Sequence, residues 1–165
     1  MQLAHNHHKP STHNKEIILV CEHITSPANA GSIFRLADAF GVKEIIFCGN
    51  QPDTGSSRLR KTARNTEKTV PFRASDTIKN TLQELHDLSF TSIALEITSD
   101  SIALSTIDSA RLDKVVLVIG AESTGITADT LEQCNITTHI EMYGINSSMN
   151  VAQATGIALY ELTRS

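Results

Sequence analysis

The sequence predicts an α/β domain built on a mostly parallel sheet with helices on both faces. Two observations carry this. Short apolar runs alternate with segments of helical period along nearly the whole chain. The strongest run, KVVLVI over Lys114 to Ile119, is apolar without a break, as a parallel strand covered on both faces must be. At 165 residues and 40% hydrophobic, the chain can bury one core without disulfides or a structural metal.

The elements follow in order. Residues 1–14 hold His5, His7, His8 and His13; they read as a flexible N-terminal tail or a metal-binding tract. Residues 15–165 form the single domain. Glu16 to His23 (EIILVCEH) is a buried strand. Ala28 to Phe40 is a helix, with Ala30, Ile33, Phe34, Ala37 and Phe40 on one stripe and Gly41 at its end. Glu44 to Cys48 (EIIFC) is the second strand, and Gly49 to Ser57 a polar loop. A short basic helix and an extended stretch around Val70-Pro71-Phe72 come next. Thr77 to Leu88 is helical, and Thr91 to Ile97 and Lys114 to Ile119 are strands. Ala128 to Gln133 is a short helix and Thr137 to Met142 a last strand. Ser148 to Thr163 closes the chain as a helix, with Ser147 or Ser148 as its N-cap.

Composition narrows the class. The cysteines are Cys21, Cys48 and Cys134, with no C-x-x-C pair. That supports neither a zinc site nor a disulfide framework, and it suits a reducing compartment. No apolar run has membrane-spanning length and no signal segment opens the chain, so a cytoplasmic protein without membrane attachment is expected. The net charge of -4 argues against nucleic acid. The local pattern argues the other way: Arg58, Arg60, Lys61, Arg64, Lys68 and Arg73 face one acid, Glu67. Such a stripe suits a phosphate backbone.

Three segments at strand ends carry chemistry. In Asn29-Ala30-Gly31-Ser32-Ile33-Phe34-Arg35, Arg35 is the one Lys or Arg between Lys15 and Lys43. It is either a planar fork for phosphate or carboxylate, or an arginine on a solvated face. In Gly120-Ala121-Glu122-Ser123-Thr124-Gly125, glycines permit tight turns and close backbone approach. The segment is neither a dinucleotide turn nor a P-loop. Ile140 to Ala152 (IEMYGINSSMNVA) runs from a strand end into the last helix. Asn150 falls in its first turn, where asparagine is a poor helix former.

Together the three segments resemble the motifs of the SpoU/TrmH family of RNA ribose methyltransferases, in the SPOUT superfamily. Asn29, Gly31 and Arg35 match the first motif; Gly120 and Glu122 match the second. Ile140, Met142, Gly144, Ser148, Asn150 and Val151 match the third. The resemblance spans Glu16 to the C-terminus. Glu141 stands where the family usually has proline, and Met149 where leucine is usual, a nearly volume-conserving change.

The resemblance implies a C-terminal trefoil knot (the SPOUT α/β knot) and a homodimer that packs the last helix at its interface. It implies S-adenosyl-L-methionine as cofactor, held by Leu95, Gly120, Ile140, Met142 and Met149, with no metal. The expected reaction is methyl transfer to a ribose 2′-hydroxyl of tRNA or rRNA, tRNA being favoured. Arg35, Asn29, Glu122, Ser148 and Asn150 form the catalytic set. Arg35 positions the substrate or acts as base, although a guanidinium is essentially always protonated. Asn150 and Ser148 orient Arg35 or the ribose, Glu122 braces the knot loop, and Asn29 holds the loop that presents Arg35. Arg58, Arg60, Lys61 and Arg64 are the RNA contacts expected of a chain without an added RNA-binding domain. The alternative is a non-catalytic RNA-binding protein that keeps the fold and the cofactor pocket.

Overall fold

The computed structural model describes residues 11–164. Most of the His-rich stretch lies outside them. His13 lies inside, and its Nε2 donates to the Phe40 carbonyl at 2.8 Å.

The strands are β1 (Glu16–Glu22), β2 (Glu44–Cys48), β3 (Phe72–Ser75), β4 (Thr91–Leu95), β5 (Ile102–Ala103), β6 (Lys114–Ile119) and β7 (Ile136–His139). They form one sheet in the order β3-β2-β1-β6-β4-β7-β5. Every pairing is parallel. The helices are α1 (Pro27–Ala39), α2 (Ser57–Ala63), α3 (Ile78–Asp87), α4 (Ala128–Gln133) and α5 (Val151–Thr163). Among the described residues, no helix is long and apolar enough to cross a membrane.

The unbroken apolar runs have a direct cause: both faces of the sheet are covered. Along β1, Ile17, Leu19 and Cys21 enter the layer that holds Phe34, Leu159 and Leu162 of α1 and α5. Ile18 and Val20 point the other way, into the layer of Leu82 and Leu85 from α3. Successive side chains alternate faces, so a doubly covered strand needs apolar residues at every position. Each fully buried Leu or Ile contributes about 1.5–3 kcal/mol by removal from water. Phe34 stacks edge-on against Phe72, ring centroids 5.1 Å apart, and so ties α1 to the outer strand β3.

β1 and β6 are adjacent, yet the chain leaves them in opposite directions. After β1 it runs outward to β2 and β3; after β6 it passes over β4 to β7. Beside this divergence a crevice lies over the carboxyl ends of β6, β4 and β7.

Several boundaries differ from expectation. The expected strand Thr91 to Ile97 stops at Leu95, which frees Glu96 and Ile97 to turn into the crevice. The expected strand Thr137 to Met142 is Ile136–His139. The closing helix begins at Val151, not Ser148, and its N-cap is Asn150, not Ser147 or Ser148. The Asn150 side chain accepts from the N–H groups of Ala152 (2.9 Å) and Gln153 (3.4 Å), which is what asparagine does well at a helix start. Two-residue β5 and the single-turn helices Thr66–Lys68, Leu104–Thr106 and Ser109–Arg111 have no expected counterpart.

Gly31 sets how closely α1 and α2 meet. A Cβ there would lie 2.1 Å from Thr62 Oγ1 and 2.3 Å from the Leu59 carbonyl oxygen. In an open helix, Gly31→Ala would gain about 1 kcal/mol of helix propensity. Here a backbone oxygen must move, so a net loss of about 1–3 kcal/mol is expected. A lower denaturation midpoint at unchanged m-value is the expected result; a raised midpoint would show that the helices separate freely.

Candidate active site

The crevice deepens into a cavity of about 950 Å³. Its wall combines Leu95 at the end of β4 and Glu96 after it, the loop from Gly120 to Ile126 after β6, and Ile140 and Met142 after β7. The turn into α5, from Asn146 to Val151, closes the far side, and Asn29 of α1 meets it at one edge. All five residues expected to hold a cofactor (Leu95, Gly120, Ile140, Met142 and Met149) line this one space. So do Asn29, Glu122, Ser148 and Asn150.

The polar side of the wall is a chain of hydrogen bonds. Asn29 Nδ2 donates to Glu122 Oε1 at 2.9 Å. Asn150 Nδ2 donates to Asn29 Oδ1 at 2.9 Å. Asn150 Oδ1 then caps α5. Glu122 also accepts from the Ser26 N–H (3.1 Å) and the Thr25 N–H (3.4 Å). Ser26 in turn caps α1, its hydroxyl accepting from the Asn29 N–H at 3.3 Å. One network therefore joins the first helix, the loop after β6 and the start of the last helix. Burial pushes the Glu122 carboxyl up. Hydrogen bonds from Asn29, from its own backbone N–H, and from Ser26 and Thr25 outweigh burial, so its pKa lies below the ordinary glutamate value.

The loop after β6 is tightly drawn. Ala121 and Gly125 bond to each other in both directions, at 2.9 and 3.2 Å. Gly125 has φ +67°. A Cβ on Gly120 would lie 2.2 Å from the Gly125 carbonyl carbon, so only glycine lets the loop fold back on itself here. Ser148 bonds within its own turn, its N–H donating to Asn146 Oδ1 at 3.3 Å. Glu141, in the position where proline was expected, accepts from Ser105 Oγ at 3.3 Å and so ties its loop to the Leu104–Thr106 turn.

Arg35 stands apart from the cavity wall. It lies about 9 Å along α1 from Asn29, at the usual helical rise. It is exposed, with no hydrogen bond or ion pair to any described residue. Asn150 bonds to Asn29 and not to Arg35.

Arg58, Arg60, Lys61 and Arg64 are all exposed on or beside α2. Arg60 Nε donates to the Thr54 carbonyl at 3.0 Å. Arg73, read as part of the same stripe, is committed elsewhere: it pairs with Glu84 at 3.0 Å and with Glu44 at 3.4 Å.

Glu96 escaped the sequence reading. Its signal is an acid directly after an apolar strand, akin to Glu122, which follows the end of β6 by three residues. Among the described residues no cysteine lines the wall. Burial pushes Cys21 well up and Cys134 up to about 11. Among the described residues no cluster of metal-ligating side chains occurs.

Residues 16–160 match the SpoU rRNA Methylase family. The chain is 34% identical over 148 residues to the 23S rRNA (guanosine-2'-O-)-methyltransferase RlmB of Blochmanniella floridana, covering 90% of this chain and 57% of the relative. It therefore spans less than two thirds of that relative. Among solved structures, an AdoMet-bound rRNA methyltransferase from Sinorhizobium meliloti superposes with a TM-score of 0.84 at 26% identity, covering 93% of this chain and 58% of that one. A structure concerned with 2-OH methylation of C/U34 on tRNA superposes at 0.80 and 25% identity, covering 92% of this chain and 96% of that one.

The hydrogen bonds to Glu122 have a pH signature. Its lowered pKa means that the carboxylate stabilises the folded loop fully above the ordinary value of 4.5. That contribution is lost as pH falls through the lowered folded value. Asn29→Ala removes the strongest of the lowering contacts and should move the Glu122 midpoint upward. An NMR titration of the Glu122 carboxyl carbon measures this; an unmoved midpoint would mean that the Asn29 contact is not populated in solution.

Proposed function

This chain belongs to the SpoU rRNA Methylase family, and on that premise we propose that it transfers a methyl group from S-adenosyl-L-methionine to a ribose 2′-hydroxyl of RNA. The observation that carries the reading is the bonded set Glu122–Asn29–Asn150, which brings all three motif segments to one cavity. The wall fits an adenosyl cofactor. Leu95, Ile140, Met142 and Met149 offer apolar contact, and the glycine-bearing loop after β6 offers backbone groups. No Lys or Arg among the described residues lines the wall to repel a sulfonium.

When bound, the cofactor supplies a methyl on a positively charged sulfur, a good leaving group that needs no metal. The chain's task is to hold the acceptor oxygen in line and let its proton leave. Asn29 and Asn150 order the edge of the cavity where the ribose enters. Arg35 holds the phosphate of the acceptor nucleotide with its planar fork. Its place outside the cofactor wall supports a grip on RNA and not on cofactor. A guanidinium stays protonated in proteins, so the hydroxyl proton passes to phosphate or water as the oxygen–methyl bond forms and the carbon–sulfur bond breaks. Ser148 orients the same turn.

Arg58, Arg60, Lys61 and Arg64 extend the phosphate contacts along α2. The chain acts as a homodimer. Tyr143, Ile145, Ile157 and Tyr160 are exposed apolar groups on and before α5, and a second copy covers them. The chain after β6 is threaded as a trefoil knot, a reading supported by the pass over β4 and by the return of α5 against α1. tRNA is the acceptor to test first, because the tRNA-related structure is matched nearly along its whole length.

The test offers labelled cofactor with either tRNA or 23S rRNA and maps 2′-O-methyl sites by mass. Transfer to one class is expected. Cofactor and RNA binding without transfer to either would make the chain a non-catalytic RNA-binding protein. Arg35→Ala should lower turnover by about 100-fold or more with cofactor affinity within about twofold; full activity in this variant would remove Arg35 from the site. Replacing Arg60 and Arg64 together with Ala should weaken RNA binding and reduce the salt slope by about 1–2. An unchanged slope would make the stripe a solvated face only.

A further inference from the structure

Glu96 is the carboxylate on the cavity wall that the reading above leaves without a task. Its backbone is fixed between two strands, its N–H donating to the Thr138 carbonyl of β7 at 2.9 Å. Its Oε2 accepts from the Ile126 N–H at 3.0 Å and its Oε1 from the Ile97 N–H at 3.0 Å. Gly125 makes this approach possible: a Cβ there would lie 2.3 Å from Oε2. Each carboxylate oxygen has two acceptor sites. One on each oxygen is filled by backbone, and one on each remains.

The strand order decides which end of a ligand Glu96 meets. β6 lies between β1 and β4. The loop after β6 is held on both sides: Glu122 reaches to Ser26 and Asn29 beyond β1, and Ile126 bonds to Glu96 beyond β4. The reacting end of a bound cofactor belongs beside Asn29. The nucleoside end then belongs on the opposite side, beside Leu95, Ile140 and Glu96. Two acceptor sites on a fixed carboxylate at that end suit two neighbouring hydroxyl donors.

We propose that Glu96 accepts hydrogen bonds from the 2′,3′-diol of the cofactor's own ribose, and so selects a ribonucleoside ligand. This rests on the reading of the cavity as an adenosyl site. His139, the other titratable side chain on this side of the wall, is engaged by Ser101 Oγ at 2.9 Å through Nδ1.

The test is a calorimetric titration of the whole protein with S-adenosylhomocysteine and with its 2′-deoxy and 3′-deoxy counterparts. Wild type should bind each deoxy ligand about tenfold or more weakly, as expected for loss of a hydrogen bond to a charged acceptor. In Glu96→Gln the parent ligand should bind about tenfold more weakly, and the deoxy penalty should shrink below about threefold. Glu96→Asp keeps the charge but draws it back by one methylene; it should shrink the penalty as well. A carboxylate that only braces the loop would weaken all three ligands alike and leave the penalty whole, which overturns the proposal. Equal binding of parent and deoxy ligands by wild type overturns it without any variant. Absence of binding by the parent ligand would instead sink the adenosyl reading, and this one with it.

Discussion

Asn29 has one amide, and both of its ends are committed. The nitrogen donates to Glu122 and the oxygen accepts from Asn150. These partners are 93 and 121 residues away along the chain. Neither asparagine amide can be turned over without placing donor against donor or acceptor against acceptor. The geometry of the site follows from that constraint. The loop after β6 is held down at its β1 side, the last helix starts where its cap meets Asn29, and the cavity is the space left between them. An aspartate at either asparagine position would keep the size and lose the donor, so the amide is required by chemistry and not by shape.

The rest of the fold serves to bring those residues together. A parallel sheet covered on both faces is rigid because its side chains interlock in two separate layers. The divergence of the chain between β1 and β6 places a helix start and a glycine-bearing loop side by side. Close packing at Gly31 keeps α1 seated on α2, and with it the position of Asn29 on the cavity edge. Glu22 does similar work below the loop. Its buried carboxylate accepts from the Thr127 N–H and hydroxyl and from the Thr130 hydroxyl, at 2.8–3.0 Å, and anchors the start of α4. A buried polar group satisfied in this way fixes geometry that an apolar contact would leave free.

Much of this was legible in the residues. β2, β6 and α4 fall where their patterns place them, because unbroken apolar runs and clear turn residues bound them. The start of α5 was misplaced for a local reason. Two serines precede Asn150, and all three are good caps; tertiary contact with Asn29 decides among them. β5 has two residues and leaves no periodic trace. Asn29, Gly120, Glu122, Ile140, Met142, Ser148 and Asn150, which the structure brings to one wall, were grouped through three segments that resemble one family's motifs; spacing alone would not have joined them. Glu96 follows an apolar strand directly, but its place on the wall depends on β4 lying between β6 and β7, which sequence order does not reveal. Arg73 was counted with the basic stripe because its partners, Glu44 and Glu84, are distant in sequence and meet it only through β2 and α3.

If the amide chain, and not each residue separately, shapes the cavity, the two asparagines must be energetically coupled. A double-mutant cycle tests it most directly, with S-adenosylhomocysteine affinity as the readout. Asn29→Ala removes the middle of the chain. Asn150→Ser removes the contact with Asn29 but keeps a helix cap. If the chain acts as a unit, each single change weakens binding by about tenfold and the double change costs little more than either. If the two losses multiply, giving about 100-fold, the residues act independently and no shared chain shapes the cavity.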